Sequence, residues 1–393
     1  MRNTKASPRA LALILAALLL AGMLSACSAT NPNYTVLKVG ELDVGVSQYY
    51  TIYSRYKSYY SLYGLYDVST AEKLRTFQDT IFDILINNLL PANQALKEGI
   101  TLTAEEEAQI KVSLEEQINT ILEDYASQVD ASITDEAAIR EAEMALFKKD
   151  ISSSGWTYAK YTAMLEEQIR NDALATKYME GLYAEISISD ENAQSYYEQT
   201  LAEQQTAYAE DPAQYYTDYT SYLSNGGTKP LAAPEGYHFY KHILIKFAAE
   251  GETKDVDAIV AEIKDKLAAG ADFDELVAAY GEDPGMQSEP YINEGYLISE
   301  AVIDKYYDGF AEAALALKNI GDVSEPVETT AGYHFIQYTS DVDTTPVPYE
   351  DVKDAIFEEL TTKAQSDIFS TKLVEWKAEN KIVKHYDLVA NIK

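Results

Sequence analysis

The sequence predicts an α+β fold in which a helical domain, built from the two ends of the chain, carries an inserted domain that contains strands. Apolar residues recur at helical spacing through positions 47–200 and again through 352–376. Between these regions, the stretch 238–338 opens and closes with β-branched and aromatic runs, which are typical of strands. A terminal helix cannot bury its apolar face alone. We therefore expect the last helix to pack on the N-terminal helices and complete one discontinuous domain.

The N-terminal elements follow from turn and capping residues. Residues 34–44 predict a hairpin that turns near Gly40. Capping boxes at 69–72 and 103–106 open two helices, and Pro91 either kinks the first of these or ends it. Further helices fit 135–149, 157–184 and 190–200. No catalytic motif appears in this region.

A tyrosine-rich helix is predicted to begin at Ser47. Its aromatic residues recur every three or four positions and include Tyr49, Tyr53, Tyr56, Tyr60 and Tyr63. Tyrosine offers broad apolar contact with a polar tip, which suits a surface that grips unfolded polypeptide. Alternatively, the stripe packs against neighbouring helices, because any amphipathic helix must bury one face. The sequence leaves both interpretations open.

The central stretch has the order strand, helix, helix, irregular loop, short helix, strand. Its first strand covers 237–247 and its last covers 332–338. The two helices between them follow apolar spacing and end at Gly270 and Gly281. Residues 202–222, which precede the stretch, are rich in Tyr, Gln, Asp and Ala, and we assign them no element.

Several segments of this stretch resemble, in the same order, the parvulin class of peptidyl-prolyl isomerases. They are His242–Ile245, Asp272–Leu276, Phe310–Leu317, Gly321–Val327 and Gly332–His334. The resemblance implies a parvulin-like βαβ-type domain that isomerises Xaa-Pro bonds with no metal and no cofactor. The helical remainder more loosely resembles the chaperone part of extracytoplasmic foldases of the PrsA and SurA type. Together they imply a foldase that holds unfolded or newly secreted polypeptides.

The parvulin resemblance also assigns the catalytic residues. It implies that His242 and His334 lie on neighbouring central strands as paired imidazoles. Asp283 falls where parvulins place a cysteine or aspartate, and Thr329 would join the hydrogen bonds beside the histidines. The histidines could instead be a core pair that stabilises the sheet. A zinc site at His238 and His242 is disfavoured because the surrounding alternation predicts a strand, whereas their spacing suits a helix.

The proline pocket is assigned by the same resemblance to Tyr306 and Phe310. The sequence departs from the parvulin pattern at two places. Glu294 occupies a position where an apolar wall residue is expected, and the loop over 297–310 is longer. These departures keep a second interpretation open, in which the domain binds peptide without catalysis and the protein is a holdase chaperone. A solute-binding lipoprotein is a third class, but it predicts two α/β lobes, and the helical N-terminal half disfavours it.

Charge excludes several kinds of partner. The net charge of −33 makes nucleic acid and anionic lipid headgroups poor partners, because both bind cationic surfaces. The stretch 236–341 contains no arginine, and recognition of a phosphate needs cationic side chains. We therefore expect no nucleic-acid binding and no preference for phosphorylated Ser-Pro or Thr-Pro.

The first residues predict secretion. A basic start and an apolar run over 10–23 are typical of a signal peptide. The following residues 24–27 resemble the bacterial lipobox, in which the cysteine is lipidated, and Cys27 is the single cysteine of the chain. The resemblance implies a lipid anchor at Cys27 that holds the protein on the extracytoplasmic face of a bacterial cell membrane.

Links rich in Gly, Pro and Asp, centred on 225–230 and 343–348, mark the domain boundaries. The predicted organisation is a signal peptide at 1–27, a helical chaperone part at 28–230, a parvulin-like domain at 236–341 and a C-terminal helix at 346–393. The sequence does not fix the oligomeric state, and a homodimer is among the states it allows.

Overall fold

The computed structural model describes residues 34–153, 155–249, 251 and 253–392. The predicted signal peptide and Cys27 lie outside these residues. The strands are β1 (Thr35–Val39), β2 (Leu42–Gly45), β3 (His238–Lys246), β4 (Tyr296–Ile298), β5 (Val327–Glu328), β6 (Gly332–Asp341) and β7 (Ile382–Lys384). The α-helices are α1 (Val46–Leu62), α2 (Ala71–Lys97), α3 (Ala104–Glu123), α4 (Glu136–Ser153), α5 (Tyr158–Tyr183), α6 (Asp190–Glu210), α7 (Ala213–Asn225), α8 (Val256–Ala268), α9 (Phe273–Tyr280), α10 (Tyr291–Glu294), α11 (Phe310–Ala316), α12 (Tyr349–Glu379) and α13 (Tyr386–Val389). Short 3-10 helices cover Ala126–Gln128, Gly285–Gln287 and Glu300–Lys305.

The chain forms two compact units. One contains the residues up to Ile186 together with those from Ala364 onward, and the other is Ser187–Lys363. The first unit is mainly helical and uses both ends of the chain, whereas the second contains a four-stranded sheet. The predicted α+β class, with a discontinuous helical domain around an inserted domain, is confirmed. The inserted unit also contains α6 and α7, which precede the stretch 236–341.

The two ends of the chain meet in the first unit through a small sheet and a shared core. The sheet has the order β2-β1-β7, and both pairings are antiparallel. Trp376 and Val389 from the C-terminal segment join the buried cluster of α1, α2 and α5. Two buried polar side chains also form hydrogen bonds between the two ends of the chain. Gln78 Nε2 donates to the Val389 carbonyl at 3.0 Å, and Asn93 Nδ2 donates to Asn380 Oδ1 at 2.8 Å. The prediction that the terminal helix packs on the N-terminal helices is therefore confirmed.

Helix ends in this unit follow the capping residues. Thr103 and Glu106 form the predicted capping box of α3, with Glu106 N donating to Thr103 Oγ1 at 3.2 Å. At α2 the cap is Thr70, whose Oγ1 accepts from Lys73 N. Helix α2 continues through Pro91 to Lys97. Of the alternatives the sequence left open at Pro91, the helix therefore does not end there.

The tyrosines of α1 divide between core and surface. Tyr49 and Tyr53 are buried, and the ring of Tyr49 lies 4.9 Å from that of Phe82. At the C-terminal end, Tyr59 and Tyr63 are exposed, and their rings lie 5.1 Å apart. Tyr56 and Tyr60 are partly buried and pack against the same core. The packing interpretation therefore holds for four of these tyrosines, whereas Tyr59 and Tyr63 remain exposed. Among the described residues, no helix has the length and apolarity needed to cross a membrane.

The sheet of the second unit has the order β4-β3-β6-β5, and all its pairings are antiparallel. Helices α8 and α9 cover one face, where Ile243, Ile245 and Phe335 join their apolar side chains in a core. Helix α11 covers the opposite face through Phe310, Ala311 and Ala314. Both faces are thus covered; His242 and His334 lie on the α11 side, whereas Lys241 lies on the other side and pairs with Asp274 of α9.

Residues 202–222, to which the sequence assigned no element, are helical. Helix α6 continues to Glu210, and α7 follows after Pro212. Both pack on the second unit through a buried cluster whose members are Tyr208, Tyr215, Tyr219, Ala232, Tyr237, Leu297 and Val302.

Candidate active site

Two buried histidines lie at the centre of the second sheet. In the register of β3 and β6, His242 pairs with Ile336 and His334 pairs with Leu244, so both rings project from the same face. Their planes are nearly parallel, at 11°, and the two Nδ1 atoms are 3.0 Å apart. His242 is 4% exposed and His334 is 1% exposed. This contact requires one ring to donate and the other to accept.

Each of the two histidines also contacts a polar side chain through its other ring nitrogen. His242 Nε2 lies 2.8 Å from Asp283 Oδ2, and His334 Nε2 lies 2.9 Å from Thr329 Oγ1. Thr329 Oγ1 also accepts from the backbone N–H of Ala331 at 3.1 Å. The structure therefore brings together the four residues Thr329, His334, His242 and Asp283 as one hydrogen-bonded row.

Burial and hydrogen bonding shift the pKa values of two members of this row. Burial, together with the neighbouring His242, lowers the pKa of His334 to about 4. The hydrogen bond from His242 outweighs burial and lowers the pKa of Asp283 to about 2. His242 Nε2–H donates to the ionised Asp283, and at the contact between the two Nδ1 atoms one ring donates and the other accepts. Every nitrogen in the row then has a partner.

Asp283 is held by more than the histidine. Tyr296 donates its hydroxyl to Asp283 Oδ2 at 2.9 Å, and Gly285 donates its backbone N–H to Oδ1 at 3.1 Å. A Cβ on Gly285 would lie 2.2 Å from the Tyr296 hydroxyl oxygen, so a side chain there would displace that hydroxyl. The Asp283 side chain is 21% exposed, which makes it the member of the row most accessible to solvent.

An aromatic platform covers the histidines. The Phe310 ring packs edge-on against His242 at 5.1 Å and against His334 at 4.9 Å between centroids. Tyr306 stacks on Phe310 at 5.9 Å and donates its hydroxyl to the Leu297 carbonyl at 2.7 Å. Both residues predicted for the pocket therefore lie beside the polar row.

Several neighbours of the site carry no signal in the sequence. Tyr296 reaches Asp283, and the exposed ring of Tyr307 lies 6.2 Å from His334. Glu294, for which the parvulin resemblance implies an apolar wall position, is exposed and accepts a hydrogen bond from Tyr219 at 2.6 Å. Tyr219 belongs to α7, 75 positions away in the chain. Such contacts depend on packing between distant segments, which periodicity does not encode.

His238 does not join this row. It lies at the start of β3, and its Nδ1 is 2.6 Å from Asp341 and 2.8 Å from the Tyr338 hydroxyl. Within the part of the chain that the structure describes, no group of three or more His, Cys, Asp and Glu residues is arranged to hold a metal.

The arrangement suits a reaction in which no covalent bond forms between the protein and its substrate. It offers an apolar aromatic surface beside one partly exposed carboxylate, whose position is fixed by three hydrogen bonds. A buried, hydrogen-bonded row of this kind holds its geometry without reorganisation, as electrostatic stabilisation of a twisted or polar group requires.

Comparison with known proteins matches this region to one family. Residues 242–340 match the model described as rotamase, PPIC-type PPIASE domain. The foldase protein PrsA of Clostridium botulinum strain Hall is 27% identical over 261 residues, which cover 66% of this chain and 64% of that protein. The foldase protein PrsA of Clostridium kluyveri is 26% identical over 312 residues, which cover 79% of this chain and 74% of that protein. This chain thus spans less than two thirds of the first of these relatives.

Solved structures are similar over long ranges but at low identity. PrsA from Bacillus subtilis is 17% identical, with 93% of this chain and 94% of that chain covered and a TM-score of 0.25. A structure of SurA-like chaperones from Campylobacter jejuni is 20% identical, with 67% and 93% covered and a TM-score of 0.28. TM-scores this low do not establish a common arrangement of the units.

Proposed function

We propose that this chain, which carries a parvulin-type peptidyl-prolyl isomerase domain at residues 242–340 and resembles PrsA and SurA foldases, isomerises Xaa-Pro bonds in secreted polypeptides. The observation that carries the proposal is the hydrogen-bonded row from Thr329 to Asp283 beneath the Phe310 platform. It lies within the segment that matches the isomerase model. The site supplies the two things the reaction needs, an apolar seat for the proline ring and a fixed charge beside the amide.

Rotation about an Xaa-Pro bond crosses a barrier of about 18–20 kcal/mol because the planar amide is stabilised by resonance. The planar form carries partial negative charge on its carbonyl oxygen, and the twisted form carries less. A carboxylate near that oxygen therefore disfavours the planar form more than the twisted one, which lowers the barrier. Each 1.36 kcal/mol removed from the barrier gives a tenfold rate increase.

We assign a role in this reaction to each residue from its exposure within the row and from the parvulin resemblance. Asp283, the most exposed member of the row, is the group that faces the peptide carbonyl. The parvulin resemblance assigns the proline ring to the partly exposed Tyr306 and to Phe310, which is buried beneath it. His242, His334 and Thr329 are buried, so they act as positioning residues that fix the direction and charge of Asp283. Because these positioning residues are buried in the second unit, replacing them should lower both the isomerase activity and the stability of that unit.

The test is isomerisation of Xaa-Pro peptides by the chain from Ser28 onward, measured by NMR exchange between cis and trans. We expect acceleration that falls at least tenfold in Asp283→Ala. Asp304→Ala is the matched control, because Asp304 is exposed and its ion pair is with the adjacent Lys305. A wild-type chain with native circular dichroism but no acceleration would contradict the proposal and favour the holdase alternative.

A second activity, the holding of unfolded clients, is proposed for the end of α1. Four apolar residues there are 57% to 79% exposed, namely Tyr59, Leu62, Tyr63 and Leu65. Clustered exposed apolar side chains of this kind favour contact with unfolded chains. Changing Leu62 and Tyr63 to serine should weaken suppression of client aggregation without lowering the melting temperature. Val374→Ser, at a 71% exposed position of α12, is the control, and equal effects of both changes would contradict the assignment.

The proposed location is the extracytoplasmic face of the cell membrane, with a lipid anchor at Cys27. Support comes from the signal-like N-terminus and from the extracytoplasmic foldases that the chain resembles. Wild-type protein should incorporate labelled palmitate and sediment with membranes, whereas Cys27→Ser should be unlabelled and released. Membrane retention of an unlabelled Cys27→Ser variant would contradict a lipid anchor.

A further inference from the structure

The segment that follows α9 is attached to an edge of β3. Strand β4 pairs with β3 over His238–Tyr240, and β6 occupies the other edge of β3. Further along the β4 edge, the backbone N–H of Glu282 donates to the Leu244 carbonyl at 2.9 Å. The Glu282 carboxylate accepts the backbone N–H of Lys246 at 2.6 Å. Glu282 is therefore bound to β3 at two points, which lie two residues apart.

The Glu282 side chain takes the place of a backbone carbonyl in this contact. In a parallel pair of strands, a residue donates its N–H to one residue of the neighbouring strand and accepts, through its own carbonyl, the N–H two residues further on. Glu282 donates in the first of these positions, but its carboxylate accepts in the second. Because the side chain supplies the acceptor, the backbone can turn away from β3 directly after Glu282. Asp283 and the 3-10 helix Gly285–Gln287 follow at this turn.

Lys254, which lies beyond the loop that follows β3, holds the Glu282 carboxylate. Its Nζ donates to Oε1 at 2.8 Å, to Oε2 at 2.6 Å and to the Lys246 carbonyl at 2.7 Å. The Lys254 side chain is 19% exposed, so the ion pair is partly shielded from water. Hydrogen bonds between charged groups are stronger than neutral ones. Lys254 therefore fixes the orientation of Glu282 and compensates a negative charge next to Asp283.

This attachment determines where the backbone of Asp283 lies relative to the histidines. Asp283 Oδ2 is 2.8 Å from the ring of His242, which precedes Leu244 by two residues on the same strand. The other partners of Asp283, the Tyr296 hydroxyl and the Gly285 N–H, hold its side-chain oxygens. The contacts of the preceding residue with β3 therefore set the distance between the Asp283 backbone and the His242 ring.

We infer that Glu282 is a positioning residue for the isomerase and that Lys254 holds it in place. The inference rests on the proposed function. Glu282 acts through Asp283, because its carboxylate accepts the Lys246 N–H and thereby keeps the Asp283 carboxylate in contact with His242. Without this acceptor, the turn moves away from β3, and the carboxylate no longer meets the peptide carbonyl in the required orientation. The loss should appear in kcat, because the rotation step rather than peptide binding depends on that carboxylate.

The test separates the acceptor from the ion pair, in the chain from Ser28. Glu282→Ala removes both, whereas Glu282→Gln keeps an oxygen that can accept the Lys246 N–H. The exchanged pair, Glu282→Lys with Lys254→Glu, keeps the ion pair without the acceptor. On an Ala-Pro peptide, Glu282→Ala should lower kcat by about ten- to a hundredfold and change KM by less than about twofold. Glu282→Gln should retain most of the wild-type kcat, and the exchanged pair should not.

Proton NMR reports on the same contact without turnover. The Nε2–H of His242 is buried and donates to Asp283, so it should exchange slowly with water and give a downfield resonance. This resonance should persist in Glu282→Gln and disappear in Glu282→Ala. A merely structural role of Glu282 would lower the melting temperature and leave the resonance in the folded protein unchanged.

Glu325→Ala is the matched control, because Glu325 pairs with Lys264 in the same unit and both side chains are exposed. It should leave kcat and the His242 resonance unchanged. A retained resonance in Glu282→Ala, or a kcat restored by the exchanged pair, refutes the inference while the isomerase function stands. Should alanine unfold the unit, Glu282→Gln and the exchanged pair give the same decision. If wild-type protein isomerises no Xaa-Pro peptide, the proposed function is refuted, and the resonance alone decides whether Glu282 positions Asp283.

Discussion

Gly285 packs closely against Tyr296 at the site, and its replacement by alanine gives a sharp prediction. Gly285 lies in a short 3-10 helix and is not among the glycines with positive φ, so the backbone itself accepts alanine. The added Cβ, however, would lie 2.2 Å from the Tyr296 hydroxyl oxygen. Because contacts of this kind need more than 3 Å, the hydroxyl must move by about 1 Å. The 2.9 Å hydrogen bond to Asp283 is then lost.

The magnitude follows from two opposing effects. A hydrogen bond to a charged group contributes about 1.5–3 kcal/mol, and alanine in place of glycine stabilises by about 0.4–1 kcal/mol where the backbone is compatible. Gly285→Ala should therefore destabilise the site by about 1–2 kcal/mol. In a Tyr296→Phe background the hydroxyl is already absent, so the same change should be neutral or stabilising. The resulting coupling energy between the two positions is about 2 kcal/mol.

The assay is hydrogen exchange followed by mass spectrometry on peptides that cover residues 281–298. Tryptophan fluorescence would not report on this change, because Trp156 and Trp376 both belong to the first unit. The single variants and the double variant together form a double-mutant cycle. Equal destabilisation by Gly285→Ala in both backgrounds would refute the steric explanation, and so would unchanged exchange in either single variant.

Two further predictions concern pH and the junction of the chain ends. His334 has a lower pKa in the fold, about 4, than in an unfolded chain, about 6.5, so the folded state binds fewer protons between these values. Stability of the second unit should therefore be complete above pH 6.5 and fall by up to about 3 kcal/mol as the pH drops to 4. Hydrogen exchange should show this slope, and an equal slope in His334→Ala would contradict it. Asn93→Leu removes an acceptor for Glu41 N and a donor to Asn380. It should destabilise the first unit by about 1–3 kcal/mol, measured by Trp376 fluorescence in urea, and a loss below about 0.5 kcal/mol would contradict this.

Much of the second unit follows from local pattern. Alternation around His242 and His334 predicts two strands, and the apolar spacing between Gly251 and Gly281 predicts two helices, because side-chain direction repeats with the period of each element. The structure adds β4 and β5, which contain three and two residues. Segments this short carry too few residues for a period to be recognised, and their pairing with β3 and β6 depends on the folded sheet.

Of the residues at the proposed pocket, some are predicted from the sequence and others are found only in the structure. Tyr306 and Phe310 are identified by resemblance to parvulins, and the structure places both beside the histidines. Tyr216 lies in a segment without predicted structure, and its contact with Tyr306 joins residues 90 positions apart in sequence, from 306 minus 216. Tyrosine content alone does not distinguish a helix packed on a site from a polar link.

The sequence by itself determined the class of the fold, the joining of both chain ends in one helical domain and the identity of the paired histidines. These depend on periodicity, on an unpartnered terminal helix and on motifs in order, all of which are local properties. Only the tertiary structure decided that Tyr296 and Gly285 hold Asp283 and that α7 belongs with the site. Those contacts join side chains from segments that are distant in sequence. The packing of the folded unit determines which of these side chains meet.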